Sequence, residues 1–381
     1  MTGIKRFFPA DYEESRRRFQ AMVPELQKRW PQTTLHQHPL SGFPDISIDW
    51  ITTRGSTPPK TMLVFTTGEH GIEGFVGSAM LELFFQRYLP RLDPDSTGLT
   101  LVHMINPWGM KNYRRTNTNN VDLNRNFVWE PEQIDPGFNP AYGKIRNLVE
   151  PQGQIGSLFL EKVRFMIGFI KHQAKLGRAR LWEAKIFGQY VYQQGIHYGG
   201  NQIEEETVLL KTIFHKAFEG CQRLLHLDMH TGYGPRYQMT LVNSPLESRS
   251  SEFFKQTFGY PLVAAMTPEA FYEVRGDMID YVYMLGQKEF PQVALYATSF
   301  EFGTFGESHR QRLRSMGAMV RENQLNWNGA SSERIAQRIR NEFVESFYPA
   351  EKRWREKALA DAGQAFEGIL RWFGLVGEGI S

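Results

Sequence analysis

Four short polar clusters hold residue types suited to metal ligation, anion binding and proton transfer: GEHGIEG at 68–74, NYRRTNTNNVDLNRNF at 112–127, DMHTGYGP at 228–235 and SFEFGTFG at 299–306. His70 and Glu73 stand three residues apart in a turn entering a helical pattern, and one helical turn lets an imidazole and a carboxylate at that spacing face one divalent ion. A loop histidine beside a helix N-terminal acid is the ordinary alternative. A catalytic zinc takes three protein ligands and keeps one position open. His230 is the candidate third ligand, because it follows the apolar run RLLHLDM and begins the glycine-punctuated HTGYG. His226 and Asp228 share its face of an extended strand. His226 lies deeper and reads as a core histidine with a hydrogen-bond partner, and Asp228 reads as a support for a ligand or as an ordinary loop acid.

The second cluster is too polar for a strand and too short for a capped helix. Arg125 offers a planar fork that can grip a carboxylate in two places, with Asn124 as a neutral donor beside it. Arg114 or Arg115 could supply positive charge where an oxyanion develops; a lone surface salt bridge is the ordinary reading of each arginine. Glu301 follows the apolar run VALYATSF, where an acid is costly unless it meets a cation or moves protons. There is no GxSxG elbow, phosphate loop or GxGxxG fingerprint in the sequence, and the single cysteine, Cys221, reads as buried rather than nucleophilic.

These clusters need a scaffold that brings loops together. TMLVFT (61–66), LTLVHMI (99–105), RLLHLDM (223–229), QMTLVN (238–243) and VALYATSF (293–300) read as strands. Helical patterns occupy 11–29, the stretch after Gly74, 157–186, 203–219 and 246–258, with a less regular stretch at 268–286 and three helical segments between Gly306 and Phe373. Such alternation predicts an α/β fold with a largely parallel central sheet covered by helices on both faces, and places ligands beyond the carboxyl ends of the strands. We expect one catalytic domain over 1–320, carrying a helical insertion at about 140–220, and a helical C-terminal extension over 321–381.

With 381 residues the chain can bury a sizeable core, and 41% hydrophobic and 22% charged residues exclude a mainly disordered or fibrous protein. A formal charge of +3, with 44 Lys and Arg interspersed among 41 Asp and Glu, gives no footprint for nucleic acid. One cysteine excludes an intramolecular disulfide framework and an all-thiolate metal site. The N-terminus lacks the apolar stretch of a signal peptide, and no run of about eighteen apolar residues is free of charge: FMIGFI at 165–170 is closed by Arg164 and Lys171. The expectation is a cytoplasmic protein with no membrane partner.

In this order, His70-Gly-Ile-Glu73, Arg114, Asn124-Arg125, His230 and Glu301 resemble the zinc carboxypeptidase (M14-like) metallopeptidases, and more closely their bacterial DUF2817 branch. YGG at 198–200 and FEFGT at 300–304 also look like that branch. The resemblance implies a carboxypeptidase-like, phosphorylase/hydrolase-like fold and one Zn²⁺ per chain held by His70, Glu73 and His230. It implies that Asn124 and Arg125 bind the substrate's terminal carboxylate, that Arg114, preferred over Arg115, polarises the scissile carbonyl, and that Glu301 is general base and acid. The substrate would be a peptide, or an N-acyl amino acid if the protein were a deacylase resembling aspartoacylase or succinylglutamate desuccinylase. A non-catalytic ligand-binding protein on the same scaffold is the other alternative, and a homo-oligomer is compatible with all three. The gap from Glu73 to His230 is longer than is typical of carboxypeptidases. The family's mobile tyrosine has three candidates, Tyr272, Tyr281 and Tyr283, of which none is assigned.

Overall fold

A computed structural model describes residues 3–4, 6–55, 58–265 and 275–377. Tyr272 lies outside the described residues. The strands are β1 (Gln32–Leu40), β2 (Phe43–Arg54), β3 (Thr61–Thr67), β4 (Thr97–His103), β5 (Arg223–Thr231), β6 (Met239–Asn243), β7 (Val263–Ala265) and β8 (Ala294–Phe302). They form one sheet in the order β1-β2-β4-β3-β5-β8-β6-β7. The central four, β4, β3, β5 and β8, are parallel, whereas β1, β2 and β6 run antiparallel to their inner neighbours. The helices are α1 (Tyr12–Gln20), α2 (Val23–Gln27), α3 (Gly74–Arg87), α4 (Pro107–Lys111), α5 (Pro140–Val149), α6 (Leu158–Leu176), α7 (Arg178–Ile186), α8 (Glu205–Phe218), α9 (Ser251–Phe258), α10 (Met278–Glu289), α11 (His309–Asn328), α12 (Glu333–Phe347) and α13 (Lys352–Trp372).

The expected α/β architecture is present, and its central strands read as continuous apolar runs because both faces are covered: every residue of β3 and β4 is buried. On one face Phe366 of α13 packs against Phe65 and Phe300, with ring centroids 5.9 and 5.0 Å away. On the other, Phe214 of α8 meets the His226 ring of β5 at 5.1 Å. Chain order reverses between β3 and β5, since β3 leads through α3 to β4 on one side while β5 lies on the other. In open α/β sheets such a switch point, at the carboxyl ends of the strands, is where ligands bind.

Several sequence expectations are corrected. The helix expected at 11–29 is two helices, because Pro24 fits only the first turn of a helix and starts a new one. The helix expected at 157–186 breaks at Gly177, whose φ of +79° ends α6 and begins α7. β1 and β2 were not anticipated; β1 is an edge strand of polar sequence, QTTLHQHPL, with little alternation to reveal it. Of the expected insertion, α5, α6 and α7 build a separate apolar cluster from Tyr142, Ile145, Phe169 and Leu181, joined by Met316 and Val320 of α11. α8 does not belong to it, since Leu210, Phe214 and Phe218 join the main core as the helix leading into β5. The boundary expected after residue 320 falls inside α11, and α13 shares the main core, so the C-terminal helices are part of the same packing unit.

Candidate active site

His70 lies just beyond β3, where Gly68 turns the chain at φ +68°. A short 3₁₀ turn, Gly71–Glu73, then leads into α3. This turn is seated on the second cluster: the Gly71 and Ile72 N–H groups donate to the Arg115 and Arg114 carbonyls at 3.1 and 2.8 Å. Gly71 is required by proximity, since a Cβ there would stand 2.3 Å from the Gly109 backbone. His230 projects from the carboxyl end of β5, across the switch point. The structure brings the three expected ligands together: one donor atom each from His70, Glu73 and His230 lies within 4.8 Å of the others, and all three residues are buried.

The donor chemistry fits a zinc ion. His70 Nδ1 is 2.9 Å from Glu73 Oε1 yet makes no hydrogen bond among the described residues, and His230 Nδ1 is 3.2 Å from Glu73 Oε2. The far nitrogens are each backed by a carboxylate, His70 Nε2 by Asp122 at 3.0 Å and His230 Nε2 by Asp228 at 2.5 Å. Imidazoles held this way present the other nitrogen to a metal, and two nitrogens with one carboxylate form a catalytic zinc set. Glu73 is anchored further by the Thr231 N–H at 2.8 Å. Burial opposes ionisation of Glu73, but His70 and His230 outweigh it and hold the carboxyl at about 2. Glu69, Asp228 and His230 also converge within metal-binding distance. That group shares His230 through the nitrogen already engaged with Asp228, and burial raises the Glu69 carboxyl well above its ordinary range.

Glu301 on β8 is the Cα partner of His230 on β5. Its Oε2 is buried without a hydrogen bond among the described residues, and burial, offset by His230 and then reinforced by Glu73, pushes the carboxyl up to about 7. The two arginines diverge. Arg114 turns away from the three ligands to Glu322 (3.1 Å), Asn120 (2.8 Å) and Asn323 (3.2 Å). Arg115 turns toward them, with Nη2 2.6 Å from His70 Nε2 and Nη1 donating to Asp122. The preference for Arg114 as the residue facing the site is therefore corrected to Arg115. Asn124 is occupied in capping α10: it donates to Asp277 at 3.1 Å and accepts from the Met278 N–H at 2.9 Å. Arg125 is buried, donates to the carbonyls of Asn124 and Ile186 at 2.6 and 2.9 Å, and has no carboxylate partner among the described residues.

Residues 8–361 match the model of a family described as "Protein of unknown function (DUF2817)". The chain belongs to the DUF2817 family. A search of curated proteins gives no match. Among solved structures, bovine thrombin-activatable fibrinolysis inhibitor in complex with tick carboxypeptidase inhibitor is similar at 14% identity and a TM-score of 0.44, over 81% of this chain and 94% of that one. Carboxypeptidase A from Helicoverpa armigera is similar at 15% and 0.44, over 93% and 74%. A metallo-carboxypeptidase from Burkholderia cenocepacia is similar at 14% and 0.43, over 94% and 69%.

In this DUF2817 chain the sequence reading passed over several residues. Asp122, within VDLNRNF at 121–127, is shared by His70, Arg115 and His197, whose Nδ1 is 2.9 Å away. Burial opposes its ionisation, but Arg115 and His70 hold the carboxyl well below the usual range. YGG at 198–200 serves the same segment, since the Tyr198 carbonyl accepts from the Asp122 N–H at 2.7 Å and the Gly199 carbonyl from Asn126 Nδ2 at 2.8 Å. Lys185 of α7 is buried, its ammonium lying 5.6 Å from the Trp182 ring centroid with no ion pair among the described residues, and burial, reinforced by Arg115 and Arg125, pulls it down to about 7. No spacing rule could have joined His197 or Lys185 to the site. His226 is a core residue as expected: it is fully buried, pairs with Thr66 Oγ1 at 2.7 Å, and burial lowers it to about 4. Burial pushes the Cys221 thiol up to about 11, which leaves it unreactive. Of the tyrosine candidates, Tyr283 is buried against Glu247 (2.8 Å) and Tyr281 packs on Trp129 at 5.5 Å.

Proposed function

We propose that this protein is a zinc-dependent hydrolase that cleaves an amide bond next to a free carboxylate, acting as a metallocarboxypeptidase on peptides. The observation that carries the reading is the convergence of His70, Glu73 and His230, both imidazoles backed by carboxylates, with Glu301 in register beside His230. His70, Glu73 and His230 would hold the zinc. Zinc, when bound, polarises a carbonyl and acidifies water.

The chain's own groups divide the remaining work. Glu301 accepts the proton of the attacking water and returns it to the leaving amine; a carboxyl raised to about 7 suits both transfers near neutral pH. Arg115 donates to the carbonyl oxygen as negative charge develops, held in place by Asp122. Arg125 grips the substrate's terminal carboxylate. Asn124 acts through Asp277 and Met278 as a positioning residue.

A second reading, deacylation of small N-acyl amino acids, is favoured by one observation. Arg125 and Lys185 are both buried without a carboxylate partner among the described residues, an arrangement suited to a compact substrate with two acidic groups. Metal analysis of the purified protein, with chelator-sensitive hydrolysis of C-terminally free peptides set against N-acyl amino acids, tests both. Stoichiometric zinc with peptide cleavage is the expected result. Zinc with cleavage of acyl amino acids alone would select the deacylase, and a protein that takes up no zinc would overturn both.

A further inference from the structure

Helix α6 buries Leu158 and Phe169 on its inner side. Its outer side carries Phe159, Leu160, Val163, Met166, Ile167 and Ile170, each 38–73% exposed. These six are nearly half of the fourteen large apolar side chains exposed among the described residues, so the patch is a concentration and not a scatter. At about 100° per residue they fall in one sector of roughly 120° along three turns of the helix.

Cations border this sector on both sides, Lys162 on one and Arg164, Lys171 and Lys175 on the other, and Arg178 and Arg180 follow at the start of α7. Residues 157–180 contain these six cations against Glu161 alone, an excess greater than the +3 of the whole chain, so the rest of the sequence is on balance acidic. Lys162 and Arg164 are paired with Glu342 and Glu161 at 3.0 and 2.9 Å. Lys171, Lys175, Arg178 and Arg180 are exposed and make no ion pair among the described residues.

We propose that α6 is a docking face for an anionic lipid surface, lying in the plane of the interface with its six apolar side chains at the acyl boundary and its cations on the headgroup phosphates. An apolar sector with a one-signed cationic border is the arrangement such helices use. The same border disfavours a second copy of this chain as the occupant, because pairing two such faces sets positive rims against each other. No helix among the described residues is long and apolar enough to cross a membrane, so the contact is peripheral. It replaces the expectation of no membrane partner, which rested on the lack of a spanning stretch.

The test is sedimentation of the full chain with vesicles of about three parts phosphatidylcholine to one of phosphatidylglycerol, against phosphatidylcholine alone. The expected result is binding to the mixed vesicles at least about tenfold tighter than to the neutral ones, weakening as salt is raised. Ile167→Glu should abolish binding, and Lys171→Glu with Lys175→Glu should lower it about tenfold or more, with circular dichroism and Tm unchanged because all three positions are exposed. Equal binding to both vesicle types, or to neither, would overturn the proposal. So would a concentration-dependent dimer in analytical ultracentrifugation that Ile167→Glu dissociates while vesicles are ignored. The charge-reversal pair keeps the test decisive if Ile167→Glu fails to fold.

Discussion

Glu301 and His230 are Cα partners across the parallel β5–β8 ladder, so a carboxyl and an imidazole that are 71 positions apart in the chain are set side by side by strand register alone. A one-residue slip of β8 would turn Glu301 to the opposite face of the sheet.

Glu301→Gln keeps the shape and removes the proton acceptor. Turnover should fall by about 10²- to 10⁴-fold. Zinc content measured by metal analysis should stay at the wild-type level, and an unchanged kcat would remove Glu301 from the reaction.

The two adjacent arginines should separate cleanly. Arg115→Ala should cost about a hundredfold or more in kcat. Arg114→Ala should act on stability instead, because it leaves Glu322 buried without its partner, a loss of about 3–5 kcal/mol for a buried pair. Thermal unfolding beside steady-state kinetics distinguishes these outcomes, and the reverse pattern would restore Arg114 to the site.

Asp122→Asn and Asp228→Asn each weaken the support behind the imidazole of a proposed ligand. Each should reduce zinc affinity by about 10- to 100-fold. Competition with a chelator of known affinity measures this, and wild-type affinity in both variants would show that these carboxylates do not serve the metal.

Glu206 supplies a pH dependence remote from the ligands. It is buried against Asn117, and burial, then neighbouring Glu204, push its carboxyl up to about 8 from an ordinary 4.5. The folded state therefore holds a proton that the unfolded chain releases. The stability this group contributes is fully present below about pH 4.5 and is lost as pH rises toward 8, with a slope of at most ~1.4 kcal/mol per pH unit. Glu206→Gln should flatten this loss, so its Tm relative to wild type should be higher at pH 9 than at pH 5; a pH-independent difference would refute the assignment.

Gly71→Ala should displace the turn that carries the proposed ligands His70 and Glu73, since the added Cβ meets the Gly109 backbone. Zinc uptake should drop while far-UV circular dichroism is retained. A variant that loads zinc normally would show that the turn tolerates the added carbon.

Most of the scaffold was legible because its central strands are rich in apolar residues and stand out from polar surroundings. β3 appears as one buried run, β5 keeps one apolar face through Leu225, Leu227 and Met229, β8 is apolar at Phe300 and Phe302, and the loop or strand end after each carries His70, His230 or Glu301. β1 and β2 escaped because a polar edge ribbon has no comparable signature. Arg114 and Arg115 could not be told apart by type; their side chains diverge because the backbone between them is pinned by Gly71 and Ile72.

Residue order alone determined the alternation of strands and helices, the apolar character of the central sheet and the chemical types waiting at the strand ends, since these follow from local periodicity and composition. Tertiary structure decided which of those side chains meet. Asp122 joins His70, Arg115 and His197, residues drawn from three loops, and Asn124 is diverted to the start of α10. Those outcomes depend on how loops far apart in the chain pack at one rim of the sheet, and a hydrogen bond of that kind leaves no periodic trace along the chain.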